Sequence, residues 1–269
     1  MDNLADMIIE CNFNNIKYQK FPHNKRIGLI IYENDVKYEF LINLKGSDKL
    51  LVCGSGGLVR DSGRDRSKPY FERWSWDFKV STIFYNDPTL YIDDNLLCGW
   101  GIGTSDNWYL ETISKIIVEI ADNINISYNR IIFFGACASG FMSIMLSIMI
   151  KGSIAIADIP QCAIYKHGWQ WEEIKKYCFK NLDENLIHEN FEYRLNVIEF
   201  MNLEMYIPKI FIICDSTCEH DFKNNMIPFF EETSILPFEN NNNYINFIIK
   251  VKIEVMPLWK RILKFDLLI

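Results

Sequence analysis

Cys137 lies at the centre of Gly135-Ala136-Cys137-Ala138-Ser139-Gly140, directly after the apolar run 130–134 and directly before an apolar stretch reaching residue 150. A strand, then small-x-nucleophile-x-small, then a helix is the nucleophile-elbow pattern. The turn is tight and its central residue strained, so the flanking residues must be small, as Gly135 and Ser139 are. A thiol at a helix N-terminus feels the macrodipole, which favours the thiolate and can lower its pKa from about 8.5. The chemistry that follows is acyl transfer through a covalent intermediate, with the N–H of Ala138 as one donor to the tetrahedral oxyanion. Ser139 is a rival nucleophile but falls two residues too late for the elbow. The alternative is a buried structural cysteine at an ordinary strand-helix turn.

A second oxyanion donor has to come from another loop, and Gly54-Ser55-Gly56-Gly57, after the strand-like run 49–53, is placed to supply it. Its missing side chains let the backbone approach a bound acyl oxygen. It lacks the Lys-Ser/Thr ending of a phosphate-binding P-loop. The nucleophile also needs a base or a lowered pKa, and the chain has four histidines. His220, five residues beyond Asp215, is the preferred base and His167 the weaker candidate, while His23 and His188 read as surface residues. The orienting acid is Asp215 or Asp158, each at the end of a strand-like run. Arg60, Arg64 and Arg66 follow the glycine loop and would form a local basic rim for an anionic sugar or phosphorylated donor, against the plainer reading of a solvated, mixed-charge loop. Trp100 is the indole chosen to stack on a sugar ring, although most tryptophans in such a domain serve packing. Asp93 and Asp94 are adjacent and point apart on an extended chain, so no metal is assigned.

The elements that must hold these residues are strands at 27–32 and 38–44, joined through a turn at Asn34-Asp35, then 49–53, 80–85, 130–134, 153–157, 209–214 and 244–255. Helices are expected at 108–121, capped by Thr104, Ser105 or Asp106, after Cys137 to about residue 150, at 169–179, 185–201, 222–231 and 258–265. An opening hairpin followed by strand-helix units gives one mostly parallel sheet with helices on both faces. Ligands of such sheets sit beyond the carboxyl ends of the strands. The chemistry is therefore expected at Gly54, Asp87, Cys137, Asp158 and Asp215.

With 269 residues, 49 % of them hydrophobic and 14 % aromatic, the chain suits one large α/β domain spanning 1–269 and is not disordered. A net charge of −7 argues against a nucleic acid or an anionic membrane as partner. No apolar stretch approaches the ~20 residues of a membrane span, and the acidic start, Met1-Asp2-Asn3, does not read as a secretory signal. The eight cysteines show no zinc spacing and read as free thiols of a cytoplasmic protein.

The chain resembles the α/β-hydrolase-like proteins of bacterial capsular and surface-polysaccharide gene clusters, which include capsule O-acetyltransferases. The resemblance rests on Phe71-Glu72-Arg73, Asp87-Pro88-Thr89-Leu90, Gly99-Trp100-Gly101-Ile102-Gly103-Thr104, the elbow, Ile159-Pro160-Gln161 and the segment from Asp215 to His220. It implies an α/β-hydrolase-type three-layer sandwich and an acyltransferase or esterase acting on a carbohydrate or activated sugar. No cofactor is required, and acetyl-CoA is a candidate acyl donor. The chain departs from the family in two places. Cys137 replaces the elbow serine, and the late segment Ile253-Glu254-Val255-Met256-Pro257 has no histidine where the family carries one. A catalytically inactive binding or scaffold protein, or a glycan transferase without a covalent intermediate, is the alternative these departures keep open.

Overall fold

A computed structural model describes residues 4–58, 78–215, 222–236 and 245–250, with the backbone alone for Asp215 and for 246–250. The described strands are β1 (Met7–Asn12), β2 (Arg26–Glu33), β3 (Val36–Asn43), β4 (Leu50–Gly54), β5 (Ser81–Tyr85), β6 (Ile131–Ala136), β7 (Ile154–Asp158), β8 (Lys209–Asp215) and β9 (Ile245–Lys250). They form one sheet in the order β1-β2-β3-β5-β4-β6-β7-β8-β9. β3 runs antiparallel to β2 and β5, and the remaining pairs are parallel. β4 is buried along its whole length, as a continuous apolar run between two parallel neighbours should be, and β5, which opens with Ser81-Thr82 and runs antiparallel to β3, is buried throughout as well.

The β2–β3 hairpin forms where the sequence expects it. Asn34 and Asp35 hold φ of 50° and 60°, the left-handed pair that a two-residue hairpin turn requires and that Asn and Asp tolerate. The hairpin does not open the sheet, however. β1 precedes it and pairs in parallel with β2, Met7 opposite Ile27 through Asn12 opposite Tyr32.

Six α-helices are described: α1 (Tyr109–Asn123), α2 (Ala138–Met149), α3 (Gly168–Cys178), α4 (Glu184–Leu195), α5 (Val197–Glu204) and α6 (Ile227–Ser234). Strand residues alternate between two buried clusters. Leu50, Val52 and Phe133 join the one to which the helices contribute, while Leu51, Cys53, Ile132 and Phe134 face the other side of the sheet. Among the described residues, no helix contributes to that second cluster.

Three helix boundaries differ from the sequence reading. The cap of α1 is Trp108, because Thr104 is drawn into a turn in which its N–H donates to the Asn107 carbonyl at 3.0 Å. The helix expected over 185–201 breaks at Asn196, which is extended, bridges to Ala163 and accepts from the Ile198 N–H to start α5. The helix expected over 222–231 starts as a π-helical turn, Phe222–Met226, and turns α-helical where Pro228 can occupy a first turn.

Candidate active site

From β4 the chain goes to β5 on one side of the sheet, and from β6 it goes to β7 on the other. Connections that diverge in this way leave a crevice above the two strand tips, where open α/β sheets bind ligands. The Gly54 loop leaves one tip and Cys137 leaves the other.

Cys137 has φ 55° and ψ −119° and is exposed. A side-chain-bearing residue held there carries about 1–3 kcal/mol of strain that its surroundings must offset. Its N–H donates to the Asp158 carbonyl at 3.0 Å, and its carbonyl accepts from Phe141 at 3.1 Å and from the Gln161 N–H at 3.4 Å. Ser139 closes the turn: its hydroxyl accepts from the Ala136 N–H and donates to the Ala136 carbonyl, each at 2.9 Å. That side chain is fully buried, so the hydroxyl braces the elbow and is no rival nucleophile. The demand for a small residue before the elbow is steric. A Cβ on Gly135 would stand 2.0 Å from the Ser139 carbonyl oxygen. Ala138 is the first residue of α2, so its N–H is among the four that no intrahelical carbonyl can reach.

The structure corrects the reading of the glycine loop. The Ser55 N–H donates to the Tyr85 carbonyl at 3.1 Å and its hydroxyl accepts from the Asp87 N–H at 3.1 Å, so Ser55 fastens β4 to β5 and is not an oxyanion donor. Gly54 is a strand residue, glycine because a Cβ there would meet the Tyr85 hydroxyl at 2.5 Å. Gly56 is the loop residue that faces the elbow, its Cβ position 4.0 Å from the Ala136 carbonyl oxygen. Gly57 packs on Cys98, whose thiol is pushed well up by burial and further by Cys137 and Asp87.

Asp87 anchors the far side of the crevice. Its carboxylate accepts from the Thr89 N–H and the Gly101 N–H, each at 2.9 Å, while burial pushes its pKa up. These bonds fix the glycine-rich turn 99–103, in which Trp100 itself has φ 51°. Trp100 is completely buried and its indole N–H donates to the Gln161 side-chain oxygen at 2.8 Å. With no exposed face, it is a wall of the site and not a platform for a sugar ring. Sequence reasoning places Asp87 at a strand tip where chemistry is expected but gives it no role, and it misses Gln161 as a site-building residue, although both stand in the motifs that carry the resemblance.

Asp158 is buried at the tip of β7, opposite Ala136 in the ladder, and lends its backbone carbonyl to Cys137. Asp215 ends β8 one strand further out, in register with Lys250. His167 caps α3 with its Nδ1 3.2 Å from the Gln161 side-chain nitrogen. His188 is not the free surface residue expected: it packs between Tyr165 and Trp171 and its Nδ1 contacts Glu192. His23 is exposed, as the sequence suggests. His220, Arg60, Arg64 and Arg66 lie outside the described residues. No cluster that could hold a metal ion occurs among the described residues, and no helix among them is long and apolar enough to cross a membrane.

No protein-family model and no curated sequence matches the chain. Solved structures do. The capsule O-acetyltransferase of Neisseria meningitidis serogroup A aligns at a TM-score of 0.59 and 15 % identity, over 94 % of this chain and 92 % of that one. This chain has the α/β-hydrolase fold. A mutant of the same enzyme in complex with CoA aligns at 0.59 and 15 % over 88 % of this chain and 92 % of that one. The S-formylglutathione hydrolase of Agrobacterium tumefaciens aligns at 0.55 and 11 % over 86 % and 88 %.

Proposed function

We propose that the chain is an acyltransferase or esterase in which Cys137 forms a thioester with the acyl group. The observation that carries this reading is the backbone of Cys137: an exposed thiol at φ 55°, between a strand and the N-terminus of a helix, braced by Asp158, Gln161 and Ser139. Nothing about packing alone calls for a strained residue with its side chain in solvent.

The thiolate attacks the acyl carbonyl carbon, and the oxygen takes up negative charge. The N–H groups of Ala138 and Gly56 receive it. Collapse expels the donor's leaving group and leaves the acyl group on Cys137. With an acyl-CoA the leaving group is the CoA thiolate, and a proton taken from Cys137 by His220 returns to it. An acceptor hydroxyl, or water, then attacks the thioester while His220 takes its proton, forming the ester or acid and regenerating the thiol. Asp215 or Asp158 orients the base. The CoA complex of the aligned acetyltransferase supports an acyl-CoA donor, and its capsule substrate supports a carbohydrate acceptor. Arg60, Arg64 and Arg66 are proposed contacts for an anionic acceptor.

A non-catalytic binding protein is the second reading. One observation favours it: two of the described histidines, His167 and His188, already contact Gln161 and Glu192. The two separate in a single-turnover experiment with acetyl-CoA. Acyl transfer predicts release of CoA with one acetyl group on the Cys137 peptide, abolished by Cys137→Ala and slowed by His220→Ala. Acetyl-CoA turnover that survives Cys137→Ala, or none in the native protein with any acyl thioester or ester, overturns the proposal.

A further inference from the structure

Three residues around the crevice hold φ values that side chains rarely adopt: Trp100 at 51°, Cys137 at 55° and Ile159 at 48°. The last is the most telling, since a β-branched residue there is a true outlier. All three turns meet at Gln161. Its N–H reaches the Cys137 carbonyl at 3.4 Å, its side-chain oxygen receives the Trp100 indole N–H at 2.8 Å, and its side-chain nitrogen lies 3.2 Å from His167 Nδ1. Ile159, two residues earlier, is tied to β8 through its N–H and the Ile213 carbonyl at 2.7 Å. Pro160 between them lies under the elbow helix, 3.1 Å from where a Cβ on Gly140 would stand.

The hydrogen-bond directions in this cluster are not free to vary. An indole N–H can only donate. The group of Gln161 that faces Trp100 must therefore be the oxygen, which leaves the NH2 facing His167. That NH2 can only donate, so Nδ1 of His167 has to accept and carries no proton. The neutral imidazole then keeps its proton on Nε2. Gln161 is 8 % exposed and Trp100 0 %, so water is poorly placed to replace either bond.

We infer that Gln161 is a positioning residue that joins the three strained turns and fixes His167 as the tautomer protonated at Nε2. His167 thereby has no free basic Nδ1, which leaves the base role to another histidine. The meaning for catalysis rests on the reading of Cys137 as the reacting residue, but the tautomer itself does not.

The test is nitrogen-15 NMR of the ring of His167 in the full-length protein, with the resonance assigned by loss of signal in His167→Gln. The wild type should show an unprotonated, pyridine-type Nδ1 and a protonated Nε2 at neutral pH. Gln161→Glu offers an acceptor to both neighbours, so it should move a proton onto Nδ1. Gln161→Met should release the lock and give averaged ring shifts, and a thermal melt of each variant establishes that it is folded. A wild-type Nδ1–H tautomer, averaged shifts in the wild type, or a spectrum unchanged in folded Gln161→Glu would overturn the inference. None of these readouts needs turnover, so an inactive protein would leave the inference standing, and an active one would not rescue it.

Discussion

Cys137 keeps its strained backbone because each neighbour has one task, and each task is separately removable. Gly135→Ala drives a Cβ into the Ser139 carbonyl at 2.0 Å, and a clash with backbone cannot be relieved by a rotamer change. The expected loss is about 3 kcal/mol of stability by urea unfolding; a change within about 0.5 kcal/mol would contradict the steric account. Ser139→Ala leaves the Ala136 N–H without its side-chain acceptor in a closed turn and should cost about 2 kcal/mol. The same variant should retain the Cys137 thiol if the serine is only a brace, so survival of thiol alkylation checks its role. The elbow was legible because its steric needs are written in residue size. The role of Ser55 was not. Gly54-Ser55-Gly56-Gly57 looks like a uniform backbone cradle, and only the register of β4 against β5 reveals that the Ser55 N–H and hydroxyl belong to Tyr85 and Asp87. For Trp100 residue type leaves stacking and packing both open, and the bonds of Asp87 to Gly101 and of Gln161 to the indole show that packing is its role.

At the scale of elements, the strands that are buried on both sides were readable directly from apolar runs, and their tips were placed to within a residue or two. β1 escaped because an edge strand gives a weaker signal. Its residues alternate between half-buried Met7, Ile9, Cys11 and exposed Ile8, Glu10, Asn12, and it pairs with one strand alone, β2. The break between α4 and α5 escaped because continuous helical periodicity hid a cap. Asn196 accepts from the Ile198 N–H at 2.9 Å and its backbone reaches across to Ala163. Asn196→Ala should lower stability by about 1 kcal/mol, the usual loss of an N-cap. Thermal melts would show it, and an unchanged midpoint would mean that tertiary packing alone sets the break.

The whole molecule sets the environment in which one buried acid titrates. Asp87 is 2 % exposed, and burial raises its pKa above the ordinary value of 3.8 despite the N–H groups of Gly101 and Thr89. The native state therefore binds this proton more tightly than the unfolded chain does. Below the ordinary value both states are protonated; as pH rises from there through the raised native value, the site loses stability. The stability of the wild type relative to Asp87→Asn should accordingly fall with rising pH across that window, as followed by urea midpoints. A relative stability that rises instead would mean that the hydrogen bonds to Asp87 outweigh its burial. The mostly parallel sheet, and the placing of Asp158 and Asp215 at strand tips with Asp87 just past another, follow from the alternation of strands and helices in the chain. The pairing of acid with base does not, because it depends on loops whose length and composition specify no single path.

The most direct test of the account is the pH profile of Cys137 alkylation by iodoacetamide in the native protein, read by peptide mass spectrometry from mildly acidic to mildly alkaline pH. Burial holds the thiols of Cys98, Cys162 and Cys178 protonated, so they should react slowly throughout. The account predicts that Cys137, exposed at the start of α2, is modified first and with an apparent pKa clearly below the ~8.5 of a free thiol. If Cys137 remains unmodified while buried cysteines react, or reacts with the profile of an ordinary thiol, it is not an activated nucleophile and the acyl-transfer account fails.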